Sequence, residues 1–431
     1  MRWLFRHVKR ICLVVAVTFL LNTSLTLVQP AAVQAADTPV DLKLNAKSAI
    51  LMEASTGQII YEYNADEALP PASMAKMMTE YLVMDAVKSG KIEKTTMVTT
   101  SPYAAEVIGS QILLASGEQA TVDDMFSALS IYSANDAAVA LAEHIGGTEE
   151  NFAKMMNEKA KEFGLSERAH FINSTGLGRA DLGKYAPQEL QGETLLTAKD
   201  AAIIAYHILK DHKEVLEYTK IPSKKFRERD QSPMINWNWM LWDNRNTINF
   251  KRFAYEGLDG LKTGSTNEAG YCFTGTAERN GMRLISVVMG TATEPSRFEE
   301  TRKVLDYGFT NFELKQVVGA KAEIDSMKTV NIKKGVETEV PVVTESGVSI
   351  VAKKGAADDQ FTITTAPADE SKLVAPITKG QVLGTVKVTY HGQEQTANMV
   401  AKEEVEQGSW IRLFFRAIKD FFVDTVKGVT S

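Results

Sequence analysis

The chain has 431 residues, of which 44% are hydrophobic and 24% are charged, so neither a disordered polymer nor a polytopic membrane protein fits. Its 48 Lys and Arg residues against 54 Asp and Glu residues give a net charge of −6. We expect no nucleic-acid partner, because that would need a basic surface. The only cysteines are Cys12 and Cys272, which excludes a disulfide framework.

Residues 1–35 have the pattern of a signal peptide. Four basic residues precede the first acidic one, namely Arg2, Arg6, Lys9 and Arg10. The apolar run Ile11–Leu21 follows, and Val33-Gln34-Ala35 has the spacing that a signal peptidase accepts. An uncleaved membrane anchor is the alternative, but polar residues from Asn22 onward end the run before about 20 apolar residues accumulate. We expect cleavage after Ala35, with Cys272 left as a small core residue.

Residues 36–313 show strand patterns at both ends and helical patterns between them. Ala49–Ala54 and Gln58–Tyr63 surround turn residues and predict a β-hairpin. Gly270–Glu278 and Met282–Gly290 flank Asn280-Gly281, the strongest two-residue hairpin signal. Apolar spacing predicts helices over Met74–Val87, Val122–Leu129, Ala134–Ile145, Glu150–Phe163, Ala198–Leu209 and Glu294–Phe309. This order indicates an α+β domain whose sheet joins distant segments.

Residues 314–405 consist of short alternating runs separated by Gly, Pro and charged turns, which is typical of a small all-β sandwich. The predicted strands are Thr329–Ile332, Glu339–Val343, Val348–Ala352, Phe361–Thr365 and Val382–Tyr390. This region carries no cluster of chemically useful residues.

The last segment, residues 406–431, predicts an amphipathic helix over Ser409–Val429. Its apolar face contains Trp410, Ile411, Phe414, Phe415, Ile418, Phe421, Phe422 and Val429. Packing on a core is the ordinary role of such a face. A terminal helix that is rich in aromatics and has a cationic opposite face is more typical of a bilayer interface. We expect it to bind the membrane surface, since it is too short and too charged to span.

Ser73-Met74-Ala75-Lys76 opens the first long predicted helix, after Pro70-Pro71. Residues three apart lie on one helix face, so the Lys76 amine can reach the Ser73 hydroxyl and take its proton. A lysine does this only if burial, a second cation or the positive end of the helix lowers its pKa. Alone the pair is weak evidence, because an N-cap serine followed by a surface lysine has the same spacing.

Two further motifs occur at element ends. Ser133-Ala134-Asn135 precedes a predicted helix, where Ser133 is either a cap or a proton relay and Asn135 either a cap or a carbonyl-binding amide. Lys262-Thr263-Gly264 begins a predicted strand, where Gly264 would let a ligand backbone approach closely; a loop turn is the alternative.

Together, and in this order, the three motifs resemble those of the penicillin-binding proteins and serine β-lactamases. Across the mature chain, including the β-domain and the tail, the sequence is most similar to low-molecular-weight D-alanyl-D-alanine carboxypeptidases. The resemblance implies a DD-peptidase-like catalytic domain with an antiparallel sheet flanked by helices. It also implies a stem-peptide substrate of peptidoglycan that ends in D-Ala-D-Ala, β-lactams as covalent inhibitors, and no cofactor. No zinc-binding motif occurs, so we expect no metal.

The resemblance implies a role for each motif residue. The implied catalytic residues are Ser73, Lys76 and Ser133, and the implied substrate-binding residues are Asn135, Lys262, Thr263, Gly264, Ser265 and Arg297. Ser73 would attack the penultimate D-alanine, Lys76 would be the general base, and Ser133 with Lys262 would protonate the departing D-alanine. The backbone N–H groups of Ser73 and Ser265 would form the oxyanion hole. Thr263 and Arg297 would bind the terminal carboxylate, although a helix-start surface charge is an equal reading of Arg297.

Two other functions stay open. A class A β-lactamase needs an Ω-loop carboxylate, and Asp181–Thr194 offers Glu189 and Glu193 without the expected Glu-x-x-Leu-Asn arrangement. A non-catalytic cell-wall sensor is the second alternative, against which the intact motifs argue. The aromatic residues Trp237, Trp239 and Trp242 are expected to pack in the core rather than line a groove. We expect the protein on the outer face of the cytoplasmic membrane, in the cell-wall zone.

Overall fold

The computed structural model describes the backbone of residues 40–429 and the side chains of residues 40–419. The predicted signal peptide lies outside these residues. In the described part the α-helices are Lys76–Lys88 (α1), Pro102–Glu106 (α2), Val122–Tyr132 (α3), Asn135–Gly146 (α4), Glu149–Glu162 (α5), Arg179–Leu182 (α6), Ala198–Asp211 (α7), Leu216–Thr219 (α8), Glu294–Asn311 (α9) and Trp410–Val429 (α10).

The strands that precede the β-domain are Ser48–Glu53 (β1), Ile59–Tyr63 (β2), Met97–Thr99 (β3), Gln119–Thr121 (β4), Ser223–Lys224 (β5), Met234–Ile235 (β6), Leu258–Thr266 (β7), Gly270–Arg279 (β8) and Met282–Thr291 (β9). Five of them form the main antiparallel sheet, in the order β2-β1-β9-β8-β7. The α+β prediction is confirmed, and β1 pairs with β9 from the far end of the domain, as expected.

Both predicted hairpins are present, and local chemistry explains each turn. The Glu53 carboxylate accepts hydrogen bonds from the backbone N–H and the hydroxyl of both Ser55 and Thr56, which closes the β1–β2 turn. Asn280 and Gly281 both have positive φ, 51° and 78°, as the tight β8–β9 hairpin requires. These turns fix the register of strands whose inner faces carry the core.

The helices pack against the sheet and surround α1, which is buried along most of its length. Threonine N-caps start four of them, at Thr121, Thr148, Thr197 and Thr293, each accepting a backbone N–H of the first turn. Directly before α1, the 3₁₀ turn Ala72–Ala75 lies against β7. This contact between a helix start and an edge strand positions the candidate site.

The C-terminal region is all-β, as predicted. Its strands are Phe312–Val318 (β10), Thr329–Asn331 (β11), Glu339–Thr344 (β12), Val348–Lys353 (β13), Thr362–Pro367 (β14), Val382–Tyr390 (β15) and Gln393–Ala401 (β16). A five-stranded sheet, β11-β12-β16-β15-β14, and the pair β10-β13 enclose a separate apolar core. β10 and β16 were not among the predicted strands, because their polar residues mask the alternation. The boundaries of the domains at residues 313 and 405 stay a prediction.

The last helix, α10, follows this β-domain. Its Arg416 guanidinium donates hydrogen bonds to the carbonyl oxygens of Gly335 and Val336, at 2.9 and 3.0 Å. Among its described residues, the apolar side chains of Ile411, Phe414, Phe415 and Ile418 are exposed, and Trp410 is 77% exposed. No helix within residues 40–429 is both long enough and apolar enough to cross a membrane.

Candidate active site

Ser73 was predicted to open the first long helix. It lies instead on the 3₁₀ turn Ala72–Ala75, directly before α1. The preceding residue, Ala72, has a φ of 49°, which is unfavourable for a residue with a side chain. Two glycines hold this turn in place. A Cβ on Gly176 would lie 1.9 Å from the Ala72 carbonyl oxygen, and a Cβ on Gly264 would lie 2.6 Å from that of Pro71. The surrounding backbone thus holds Ser73 in a strained, fixed position.

Lys76 is fully buried, and its amine contacts three oxygens. Its Nζ lies 2.9 Å from Ser73 Oγ, 2.6 Å from Asn135 Oδ1 and 2.9 Å from the Thr175 carbonyl oxygen. Burial, and then the positive charge of Lys262, hold the pKa of Lys76 well below its usual range. The alternative of a surface lysine is therefore wrong, and the amine is poised to accept a proton.

Ser133 ends α3 in a left-handed conformation with a φ of 60°, and it does not cap α4. Its hydroxyl lies 2.8 Å from Lys262 Nζ. Lys262 was predicted to begin a strand. It lies instead in the interior of β7, four residues after Leu258. Burial, and then the charge of Arg297, lower the pKa of Lys262, while Glu80 opposes the shift. The second motif therefore supplies a hydroxyl held by a buried lysine.

Asn135 is the first residue of α4, and its amide connects two parts of the site. Its Oδ1 accepts from Lys76, and its Nδ2 donates to the carbonyl oxygen of Ile108 at 2.6 Å. The loop beyond Ile108 wraps so closely that a Cβ on Gly109 would lie 2.7 Å from that Nδ2. The capping alternative is wrong, because the N-cap of α4 is Ala134, which has no side-chain cap.

Gly264 lines the cleft, where the approach of a ligand stays a prediction, and it also permits close contact with the chain itself. A Cβ there would meet the Ser73 backbone nitrogen at 3.2 Å and the Met74 nitrogen at 3.1 Å. The neighbouring Thr263 is buried, whereas Ser265 is exposed toward the cleft. The glycine therefore lets β7 lie flush against the turn that carries Ser73.

Arg297 is 2% exposed, so the alternative of a surface charge is wrong. Its Nη2 lies 2.7 Å from Glu294 Oε1, and its Nη1 donates to the Gly264 carbonyl oxygen at 3.4 Å. Its Nε has no hydrogen-bond partner among the described residues. Burial lowers the pKa of Arg297 to about 10, which leaves the guanidinium charged at neutral pH. An anion at this end of the cleft would meet a desolvated cation.

These residues line one open cleft of about 650 Å³, with Ser73, Ser133, Asn135, Thr263 and Arg297 among its walls. Lys76 and Lys262 lie beneath it. Trp237 was expected to pack in the core, but it lies on the rim of the cleft and is 38% exposed. Its indole N–H donates to the Tyr132 carbonyl oxygen at 2.9 Å. In the sequence, the one sign that Trp237 lies at the cleft was its position before β7.

Three buried carboxyls close enough to act on Lys76 were not predicted from the sequence. They are Glu80, Asp136 and Glu149. Asp136 accepts from the backbone N–H groups of Ile112 and Leu114 and so fixes the loop along the cleft. Glu149 accepts from the Ser174 hydroxyl at 2.6 Å and from the Tyr103 hydroxyl at 2.5 Å. Glu80 stands one helical turn after Lys76, a spacing that was visible in the sequence.

The two carboxylates offered as β-lactamase residues bind elsewhere. Glu189 pairs with Lys154 at 2.6 Å, and Glu193 accepts from the Arg179 backbone N–H at 2.9 Å. Neither lines the cleft that contains Ser73. The β-lactamase alternative therefore gains no support from the structure.

Comparison with known proteins agrees with this geometry. Residues 32–293 match the family described as D-alanyl-D-alanine carboxypeptidase, and residues 312–407 match the C-terminal domain of penicillin-binding protein 5. The D-alanyl-D-alanine carboxypeptidase DacF of Bacillus subtilis is 37% identical over 382 residues, which cover 88% of this chain and 91% of the relative.

Two solved structures extend the comparison. Penicillin-binding protein 3 of Streptococcus pneumoniae, described as a peptidoglycan synthesis regulatory factor, has a TM-score of 0.73 at 31% identity, with 84% of this chain and 100% of the other covered. The ampicillin-bound form of penicillin-binding protein D2 from Listeria monocytogenes has a TM-score of 0.51 at 33% identity, covering 63% of this chain and 99% of the other. With a family match over most of its length, the chain belongs to the D-alanyl-D-alanine carboxypeptidase family.

Proposed function

We propose that this chain removes the terminal D-alanine from peptidoglycan stem peptides through an acyl-enzyme on Ser73. The family supplies the reaction, and the 2.9 Å contact between Lys76 Nζ and Ser73 Oγ carries the assignment of the nucleophile. A neutral amine has two N–H groups and one lone pair. The Asn135 and Thr175 carbonyl oxygens can only accept, so they take the two N–H groups and leave the lone pair for the Ser73 hydroxyl.

Acylation joins Ser73 Oγ to the carbonyl carbon of the penultimate D-alanine. The Ser73 proton moves to Lys76, and the developing oxyanion is met by the backbone N–H groups of Ser73 and Ser265. One such donor contributes about 3 kcal/mol to transition-state stabilisation. The exposed position of Ser265, beside the nucleophile turn, supports this role.

The C–N bond then breaks, and the departing amine of D-alanine needs a proton. The Ser133 hydroxyl donates it and is resupplied by the Lys262 ammonium, which lies 2.8 Å away. Thr263 and Arg297 bind the terminal carboxylate before it leaves. The buried, charged Arg297 supports this assignment, because its Nε has no hydrogen-bond partner among the described residues and a carboxylate would satisfy that donor.

Water then attacks the ester carbonyl carbon and the C–O bond to Ser73 breaks. Ser73 Oγ takes back the proton held by Lys76, and the proton lost by the water returns to Lys262 through Ser133. A β-lactam reacts at the same hydroxyl: Ser73 Oγ bonds to the lactam carbonyl carbon and the ring C–N bond opens. The ampicillin-bound relative from Listeria monocytogenes supports this inhibition. Rapid hydrolysis of the lactam is not expected, since neither Glu189 nor Glu193 reaches the cleft.

We place the protein outside the cell, on the membrane surface. The basic and apolar start of the sequence and the exposed aromatic face of α10 support export and surface attachment. Of the two roles considered for α10, attachment is favoured, because Trp410, Phe414 and Phe415 are exposed rather than packed on the β-domain.

The test is release of D-alanine from a peptide ending in D-Ala-D-Ala by wild type and by Ser73→Ala. We expect release by wild type and none by the variant, and fluorescent penicillin should label only wild type. Ser371→Ala, which alters a serine of the β-domain, is the matched control and should keep full activity. Release that survives Ser73→Ala would refute the assignment of the nucleophile, and a folded wild type without release would refute the function.

A further inference from the structure

Glu80 is a fully buried carboxyl that the proposed reaction leaves unused. It is 0% exposed, and neither of its carboxylate oxygens has a hydrogen-bond partner among the described residues. A buried carboxyl without partners is costly to keep in a core, and an apolar side chain of similar size would pack there without that cost. Its position therefore calls for a role that offsets the cost.

The surroundings of Glu80 contain both lysines of the site. Lys76 precedes it by one turn on the same face of α1, and Lys262 faces it from β7, which packs against α1. The Ser130 hydroxyl faces it from the last turn of α3, and this hydroxyl likewise has no partner within hydrogen-bond geometry among the described residues. Burial raises the pKa of Glu80, whereas Lys262, Ser130 and Lys76 each act to lower it.

The two lysines have further charged neighbours. Asp136 on α4 and Glu149 on α5 act on Lys76, and Arg297 on α9 acts on Lys262. Of the carboxyls, Glu80 is the one that acts on both lysines. The carboxylates of Asp136 and Glu149 accept hydrogen bonds from Leu114 N and Ser174 Oγ, respectively. Their negative charge is therefore stabilised by groups other than the lysines.

The proposed reaction needs unlike charge states on two adjacent buried amines. Lys76 must be neutral to accept a proton, and Lys262 must be charged to resupply Ser133. Burial disfavours the charged form of both lysines, so burial alone would not give them unlike charge states. A single carboxylate next to both lysines can stabilise the ammonium of one of them while the other amine stays neutral.

We propose that Glu80 is a positioning residue of this reaction, the buried counter-charge that keeps Lys262 protonated while Lys76 is neutral. This inference rests on the proposed function. Helix α1 would then carry two functional groups. Lys76 is the base for Ser73, and Glu80, one turn later, is the carboxylate that determines which of the two lysines is protonated.

The test is the dependence of kcat/KM for D-alanine release on pH, from about pH 5 to about pH 10, in wild type and Glu80→Gln. Removing the negative charge lowers the pKa of Lys262, so the alkaline limb should move to lower pH by about one unit. At low pH the two proteins should converge, because Glu80 is then protonated in wild type and neutral like glutamine. A purely structural lesion would lower the rate equally at every pH.

Two variants complete the design. Glu80→Asp keeps the carboxylate and should return the alkaline limb toward that of wild type. Glu53→Gln removes a buried carboxylate of the β1–β2 turn that does not line the cleft, and it should leave the profile in place. If the Glu80→Gln profile superimposes on that of wild type, or is depressed evenly, the inference is wrong. If wild type releases no D-alanine or Ser73→Ala still does, the proposed function fails instead.

Discussion

The cleft and the β-domain of this chain differ in how many charged side chains they bury. In the cleft the charged side chains of Lys76, Glu80, Lys262 and Arg297 are all at most 2% exposed. Among the described residues of the β-domain, the buried polar side chain is Thr344, which donates to the Gly319 carbonyl oxygen and accepts from a backbone N–H. One region concentrates desolvated charge, and the other has almost none.

The difference extends to ion pairs and backbone. Pairs in the β-domain, such as Lys387 with Glu394, are largely exposed and contribute about 0 to 1 kcal/mol each. The left-handed His391 belongs to the turn between β15 and β16, whereas Ala72 adjoins Ser73 in the cleft. The comparison teaches that the cleft gives up local stability for fixed geometry, while the β-domain follows ordinary packing rules.

The largest expected effect comes from removing the buried amine of Lys76. Lys76→Met should lower the rate of acylation by fluorescent penicillin about 10³-fold, because no other group takes the Ser73 proton. In wild type the acylation rate should fall as pH falls through the lowered pKa of Lys76, since the protonated amine cannot accept a proton. This acid limb should disappear in the variant.

A matched surface variant, Lys387→Met in the β-domain, should acylate at the wild-type rate. An acid limb that persists unchanged in Lys76→Met would contradict the assignment of Lys76 as the base and indicate that another group titrates.

A smaller effect is expected from a pair of strand glycines, one in each region. A Cβ on Gly264 would lie 2.6 Å from the Pro71 carbonyl oxygen, and one on Gly384 would lie 2.7 Å from that of Ala366. Both Gly→Ala variants should lose about 1 to 3 kcal/mol of unfolding free energy through overpacking. Only Gly264→Ala should also slow acylation, by about 10 to 100-fold, because it displaces the turn that carries Ser73.

Thermal unfolding and penicillin acylation, measured on both variants, check this prediction. Equal acylation rates in the two variants, after correction for the folded fraction, would mean that the position of β7 does not control the nucleophile.

The comparison also explains what the sequence could and could not predict. Regular alternation and Asn280-Gly281 predicted the hairpins, and the three motifs predicted the chemistry of Ser73, Lys76 and Lys262 before their contacts were known. The sequence left open whether Ser133 caps a helix, because a serine between two helices occurs both as an N-cap and as a left-handed residue. Glu80 was not predicted, because its burial depends on the elements that pack around α1, among them α4, α7 and β7, which are distant in sequence.

The smallest effect on catalysis is expected from removing Ser409–Ser431, which contains α10. The contacts of α10 with the described residues include two hydrogen bonds from Arg416 to the β-domain, remote from the cleft. We therefore expect kcat/KM within about twofold of wild type and complete loss of co-sedimentation with phosphatidylglycerol vesicles. Replacing Trp410, Phe414 and Phe415 with serine keeps the helix length and charge and should also abolish binding. Truncated protein that still sediments would show that attachment resides elsewhere in the chain.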